Sequence, residues 1–318
     1  MRAFRVTATG RAGQLEALAP PEPGPGELRL RVTACGLNFA DLLMIKGTYQ
    51  ATPEPPFTPG LEMAGVVESL GPGTIGPAPG VRVAVFHGQG GLAEQAVVPA
   101  ARCIALPDTM SDEIAAGFQV AYGTSHLALT RRARLARGET LAVLGAAGGV
   151  GLTAVELGHA LGARVIAVAR GGDKQAIARQ AGAEIVLDPS DDLTGRLRDL
   201  GGIDVLYDPV GGAPALAAQR ALRPEGRHLV VGFASGEVPE PKLNHLMVKN
   251  IDLLGVYWGG YLGFAPDALT DSLAELMDWH AQGRLRPHVS HVLPLDRAQE
   301  ALDLLATRKA TGKVVVTP

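Results

Sequence analysis

Cysteine is nearly missing from this chain: there are two in 318 residues, Cys35 and Cys103. Two thiols exclude a disulfide framework and leave open only a single bridge between them. A basic excess is missing as well. Lys and Arg number 29 against 32 Asp and Glu, a net charge of -3. No positive field attracts nucleic acid, and no polybasic segment holds a membrane surface. No apolar run reaches the ~18 residues of a membrane span. The opening MRAFRVTATG lacks the apolar core of a secretory signal. These absences lead to the expectation of a cytoplasmic protein with no nucleic-acid and no membrane partner. Asparagine is rare and Arg far outnumbers Lys, a bias common to GC-rich genomes and heat-adapted hosts.

What is present is apolar material in short runs. Hydrophobic residues make up 47% of the chain, enough for full cores. The length fits two domains of ~100–200 residues each. The first ~110 residues read as β-rich, with LRLRVTACG (28–36), MAGVVESL (63–70), VRVAVF (81–86) and AEQAVVP (93–99) separated by Gly/Pro turns. The Pro/Gly-rich stretch 71–80 is a loop. Ser111 is the expected N-cap of a helix running through Ala115, Ala116 and Val120 towards Leu129. From residue 139 strands alternate with helices. ETLAVLG, ARVIAVA, AEIVLD, IDVLYD, RHLVVG and NIDLLGVYW are the strands, and GVGLTAVELGHALG, DKQAIARQAG, 190–200 and 213–222 the helices between them. That alternation predicts a parallel sheet with helices on both faces. A helix around 268–281, a strand near 288–293, a helix at 296–307 and a last strand, KVVVTP, complete the chain.

The first strand-to-helix turn of this α/β region reads LGAAGGVGL (144–152). Ala146, Gly148 and Gly151 occupy the three positions of a GxGxxG template, with Gly145, Gly149 and Val150 between and beside them. Small residues allow a sharp turn and close approach of the backbone to a diphosphate, and the helix start offers free N–H groups and the positive dipole end. The strand before and the helix after supply the context that makes the motif informative. About 20 residues on, where an NAD enzyme places an acid on the ribose 2′-OH, the second strand ends at Ala169 and is followed by Arg170. A guanidinium attracts a 2′-phosphate that a carboxylate repels, so the expected cofactor is NADP(H). Lys174 is either a second phosphate contact or a solvated lysine on a helix face.

Several segments together resemble the zinc-independent quinone oxidoreductases of the medium-chain dehydrogenase/reductase superfamily. They are VTACGLNFADLLMIKGTY (32–49), PFTPGLEMAGVV (56–67), GAAGGVG, GGIDVLYDPVGG, ALRPEGRHLVVGFASG, NIDLLGVYWG and ATGKVVVTP, in that order along nearly the whole chain. The resemblance implies an α/β fold in which a doubly wound parallel Rossmann sheet is inserted into a GroES-like β-rich catalytic domain. The catalytic domain would comprise 1–119 and 256–318, and the NADP(H)-binding domain 120–255. It implies an active site in the cleft between them, and a homodimer or higher homo-oligomer formed through edge strands near 251–258.

The resemblance also frames what is missing. Zinc members carry Cys-Gly-x-Cys-x-x-Asp and Pro-Gly-His-Glu segments. Here these read Cys35-Gly36-Leu37-Asn38-Phe39-Ala40-Asp41 and Pro59-Gly60-Leu61-Glu62. Asn38 replaces the ligand Cys and Leu61 the ligand His, and two cysteines cannot form a four-Cys structural lobe. No bound metal is expected. By resemblance Asn38 stands beside the nicotinamide and contacts cofactor or substrate. Asp41, three residues later, either orients Asn38 or a water, or is a helix-end charge. The resemblance puts Tyr49 in the substrate pocket, Thr124 near the nicotinamide, Gly232 and Phe233 along the nicotinamide ribose, and Lys313 near the cofactor. Pro189 stands where quinone reductases often have a Tyr near the adenosine phosphate, so recognition on that side must differ. The expected activity is transfer of hydride from NADPH to a quinone, which accepts it readily because the product is aromatic. Reduction of an α,β-unsaturated aldehyde, ketone or enoyl thioester is the second enzyme reading. A non-catalytic nucleotide-binding, crystallin-like protein is the reading from another class.

Overall fold

In Glu27–Gly36 apolar and polar side chains alternate: Leu28, Leu30, Val32 and Ala34 are buried, while Arg29, Arg31 and Thr33 are partly or fully exposed. This strand is the hub of the first sheet. It pairs antiparallel with Glu62–Leu70, with Gln95–Pro99 and with the C-terminal strand Lys313–Thr317. Arg82–Phe86, Cys103–Ala105 and Val289–Pro294 complete seven strands. Leu28, Leu30, Val32, Met63, Val67, Val83, Val85 and Val98 fill the core behind it, each fully buried aliphatic side chain stabilising by roughly 1.5–3 kcal/mol before entropy is counted. Cys35 lies buried in this strand and Cys103 is half-buried; both are free thiols. The structure, a computed structural model, describes residues 1–318. One of its two units comprises Met1–Val120 with Pro287–Pro318, the other Ala121–Arg286.

The second unit is built on a different strand type. Every residue of Thr140–Leu144 is buried, the pattern of a strand covered on both faces. Six parallel strands stand in the order Ile185–Leu187, Arg164–Val168, Thr140–Leu144, Ile203–Asp208, Leu222–Val230, Asp252–Gly255. In chain order this is 3-2-1-4-5-6, a doubly wound sheet whose switch point falls between its two central strands. Ala142, Leu144, Ile166, Val168 and Leu206 on one face pack against Leu193, Leu197, Ala215 and Ala218 from the crossover helices. No helix of the chain is long and apolar enough to cross a membrane.

Two elements differ from the sequence expectation. The helix expected from Ser111 to Leu129 is broken. Ser111 does cap its start, its hydroxyl accepting the Ile114 amide at 3.3 Å. Gly117 then closes a helix of only Asp112–Ala116, and Gln119–His126 begins a new one that widens into π-type turns at Leu127–Arg132. The chain also rejoins the first unit at Pro287, not near 256. The intervening helix Pro266–Ala281 is held by the second unit. His126 Nδ1 meets Ser272 Oγ at 2.8 Å, the His126 ring meets Trp279 edge-on, and the Arg286 amide donates to Glu156 Oε1 at 2.6 Å.

His126 makes this packing acid-sensitive. Burial holds its imidazole below the ordinary histidine pKa, with the Glu275 carboxylate, 3.4 Å from Nε2, pulling the other way. The unfolded chain therefore takes up a proton below pH ~6.5 that the folded chain resists. Stability is held at neutral pH and falls as pH drops below about 6.5. His87, His280 and His288 are lowered by burial too and add to the same limb. A His126→Leu variant is expected to show a shallower loss of melting temperature between pH ~7 and ~5; an unchanged slope contradicts this role.

Candidate functional site

The glycine-rich turn of the second unit leaves the carboxyl end of Thr140–Leu144, at the switch point. Gly145 has φ +59°, a left-handed value that L side chains rarely adopt. Gly148 donates its amide back to Gly145 O at 2.9 Å, and Ala146 donates to Val168 O at 3.1 Å. Helix Gly149–Ala160 then starts with Gly148 as N-cap and no side-chain cap. The amides of Gly149, Val150 and Gly151 are the orphan donors of a helix start, and none has an acceptor within the chain. A Cβ at Gly151 would stand 2.2 Å from Gly145 O, so only glycine lets turn and helix close on each other. The result is a cradle of N–H groups at the positive end of the helix, which fits a diphosphate.

Hydroxyls beneath the cradle hold it in place. Ser125 Oγ donates to Val150 O at 2.9 Å and lies 2.8 Å from Thr153 Oγ1 and 2.9 Å from Tyr207 OH. Thr153 Oγ1 also meets Ala121 O at 3.0 Å. Thr124 is buried on the same helix, but it is the neighbouring Ser125 that ties this helix to the turn. Sequence reasoning passed over Ser125, Thr153 and Tyr207. Tyr207, a polar ring directly after the apolar pair Val205-Leu206, carried the one usable signal.

Across the switch point Asp208 is fully buried. Its Oδ1 accepts the amides of Val210 and Gly211 at 2.9 and 2.8 Å, and its Oδ2 meets His228 Nε2 at 3.2 Å. Gln219 Nε2 lies 3.0 Å from His228 Nδ1, so a neutral imidazole protonated on Nε2 satisfies both partners. Gly232 follows the next strand and donates to Asp208 O at 3.3 Å; Phe233 is exposed. At the second strand Arg170 is exposed after Ala169, and Lys174 lies half-buried in the first turn of helix Gly172–Gln180. Asp188 stands nearby with its carboxyl held below the ordinary range, first by the Ser190 hydroxyl at 2.6 Å, then by the Ser190 and Gly171 amides and the Arg170 charge.

In the first unit the chain turns from Glu27–Gly36 into helix Phe39–Lys46, with Asn38 as N-cap and Asp41 in its first turn. Asp41 is fully buried; Oδ2 accepts the Asn38 amide and Oδ1 the Gly60 amide, each at 2.8 Å. It is therefore both a helix-start charge and an anchor for Asn38. Burial pushes its carboxyl up to about 7, against the pull of those two amides and of Lys313. Tyr49 is half-buried and packs at the rim of the Val6, Met44, Phe57 and Leu61 cluster.

A buried charge cluster organises this turn. Lys313 Nζ donates to Leu37 O at 2.8 Å, Asn38 Oδ1 at 2.7 Å and Glu62 Oε1 at 2.8 Å, which uses all three ammonium protons. Asn38 Nδ2 donates to Gly36 O at 3.2 Å and Glu62 Oε1 at 3.0 Å, which uses both amide protons. Glu62 Oε2 accepts the Val120 amide at 2.9 Å. Glu62 was not singled out from sequence, although a carboxylate opening the apolar strand EMAGVV was a signal. Cys35 lies beside the cluster, its thiol pushed well above the ordinary range by burial and then by Asp41 and Glu62.

A β-rich unit formed by both ends of the chain, interrupted by a doubly wound sheet, is the architecture of medium-chain dehydrogenase/reductases. The family model for the alcohol dehydrogenase GroES-like domain matches residues 24–108, and that for the zinc-binding dehydrogenase matches residues 149–279. Quinone oxidoreductase-like protein 2 of Bos taurus is 36% identical over 308 residues, covering 95% of this chain and 88% of that one. The quinone oxidoreductase of Thermus thermophilus, solved with and without NADPH, is similar with a TM-score of 0.89 at 36% identity, over 100% of both chains. Escherichia coli quinone oxidoreductase, solved with NADPH, is similar at 0.92 and 28%, again over 100% of both. The chain belongs to the quinone oxidoreductase family of the medium-chain dehydrogenase/reductase superfamily.

One of those family descriptions carries zinc, and the residues present do not fit it. Leu61 has no lone pair to give. Asn38 Oδ1 is turned onto an ammonium, and a zinc ion there would meet a like charge. No group of three or more His, Cys, Asp or Glu stands where it could hold a metal.

Proposed function

We propose that this protein is a metal-independent, NADPH-dependent reductase that delivers hydride to a quinone. The observation that carries the choice of acceptor is the closed donor set around Asn38. Both amide protons and all three Lys313 protons are committed within the first unit. Nothing at that position is left to polarise a plain carbonyl or to activate an alcohol, chemistry that calls for a Lewis acid or a proton relay. A quinone needs neither, because hydride transfer aromatises it, and positioning supplies most of the catalysis.

NADPH, when bound, supplies the hydride. The amides of Gly149, Val150 and Gly151 would hold its diphosphate, and Arg170, assisted by Lys174, would take the 2′-phosphate. The NADPH complexes of the Thermus and Escherichia relatives support this reading. A homodimer is supported by the free edge of Asp252–Gly255, where Leu253 is exposed, and by helix Leu243–Lys249, which shows Leu243, Met247 and Val248 to solvent.

Steady-state rates of NADPH and NADH oxidation across quinones, enals and alcohols test the proposal. Quinones with NADPH are expected to turn over fastest, alcohols not at all, and chelators to change nothing. Faster enal than quinone turnover overturns the acceptor assignment. Arg170→Ala is expected to raise the NADPH KM by roughly ten- to a hundred-fold, the worth of one charge-assisted hydrogen bond at ~1.5–3 kcal/mol. The NADH KM should stay nearly unchanged; equal effects on both would remove Arg170 from phosphate binding.

A further inference from the structure

Three oxygens from two segments, Leu37-Asn38 and Glu62, converge on one nitrogen in the first unit. Leu37 O, Asn38 Oδ1 and Glu62 Oε1 lie 2.8, 2.7 and 2.8 Å from Lys313 Nζ. The Lys313 side chain is 8% exposed and that of Glu62 1%. We infer that Lys313 is the resident cation of this site. Its ammonium holds the Asn38 oxygen, at a position where zinc-bearing members of the superfamily present a metal ligand, and it fixes the orientation of the Asn38 amide.

Three features carry the inference. The acceptor set is all oxygen and numbers three, matched to the three protons of an ammonium, which has no acceptor of its own. The lysine stem has a built channel: a Cβ at Gly117 would lie 3.1 Å from Lys313 Cγ and Cε and 3.3 Å from its Cβ, so glycine at 117 makes room for the stem. The neighbouring thiol of Cys35, the one soft ligand at hand, makes no bond to the cluster, and burial raises its pKa. The cation thus arrives on the last strand of the chain, covalently attached, and no chelator can remove it. Lys313 is a positioning residue that acts through Asn38 and Glu62; with every proton spent, its ammonium has none to offer a cofactor phosphate.

The test needs no substrate, so it succeeds or fails apart from the quinone assignment. Lys313→Ala should unfold roughly 10 °C below the parent, the scale expected when one partner of a buried pair is removed. The n-propylammonium ion reproduces the atoms that this change deletes. It should raise the melting temperature of Lys313→Ala in a saturable way and leave the parent unmoved, whereas 1-propanol, of the same shape and uncharged, should not. Equal rescue by 1-propanol, or none by propylammonium, overturns the inference. Should Lys313→Ala fail to fold, the paired variant Lys313→Met with Glu62→Gln decides. It should fold and melt well above Lys313→Met alone, because both charges leave together. A double variant no better than the single shows that the stem, not the charge, matters.

Discussion

Gly151→Val is expected to abolish measurable NADPH binding in a chain that still folds. Any Cβ at this position would stand 2.2 Å from Gly145 O and 3.1 Å from Ala146 Cα, and those neighbours are backbone that cannot swing aside. The turn must open, and the amides of Gly149, Val150 and Gly151 lose their common aim. Each charge-assisted bond to a diphosphate stabilises by ~1.5–3 kcal/mol, so losing two lowers affinity by roughly a hundred-fold or more. The strain itself costs about 1–3 kcal/mol of stability. Fluorescence titration of bound NADPH, with thermal unfolding alongside, checks both. Binding equal to that of the parent would mean that the cradle does not hold the diphosphate.

Glu62→Leu should be the most destabilising single change in the first unit. It removes the carboxylate bonded to the Lys313 ammonium, and leaves the Val120 amide and one proton of Asn38 Nδ2 without an acceptor. Removing one partner of a buried pair costs about 3–5 kcal/mol, much of the ~5–15 kcal/mol that holds a typical domain folded. Denaturant unfolding of the full chain should show an unfolding free energy lower by that amount. An unfolding free energy within ~0.5 kcal/mol of the parent would mean that the pair contributes nothing net, as many exposed pairs do.

The parallel half of the fold was legible because its strands announce themselves. ETLAVLG and ARVIAVA are short apolar runs, fully or nearly fully buried, and each ends where a turn residue or a polar side chain begins. The glycine cradle was legible for the same reason: its spacing sits between a readable strand and a readable helix. The return point of the chain was not. Periodicity shows that Pro266–Ala281 is an amphipathic helix, but not which core receives its apolar face. Long-range partners such as His126 and Ser272, 146 residues apart, decide that. The break at Gly117 was hidden because a glycine inside a helical pattern is often tolerated.

The charge cluster was the least legible part. Asn38 and Lys313 were each picked out, yet 275 residues separate them. Nothing in either local segment says that one completes the other's hydrogen bonds. The amide protons of Asn38 are donated to Gly36 and Glu62, partners that its own segment does not reveal. Lys313 was expected beside the cofactor; its ammonium is spent on the first unit's own oxygens. Arg170 is the contrasting case, since an exposed charge at a strand end keeps the position that its sequence neighbours give it.

A crystal structure of the protein grown at saturating NADPH tests the account most directly. The diphosphate should accept hydrogen bonds from the backbone amides of Gly149, Val150 and Gly151, with the Arg170 guanidinium on the 2′-phosphate. A diphosphate bound elsewhere, or a glycine turn left empty at that concentration, would contradict it.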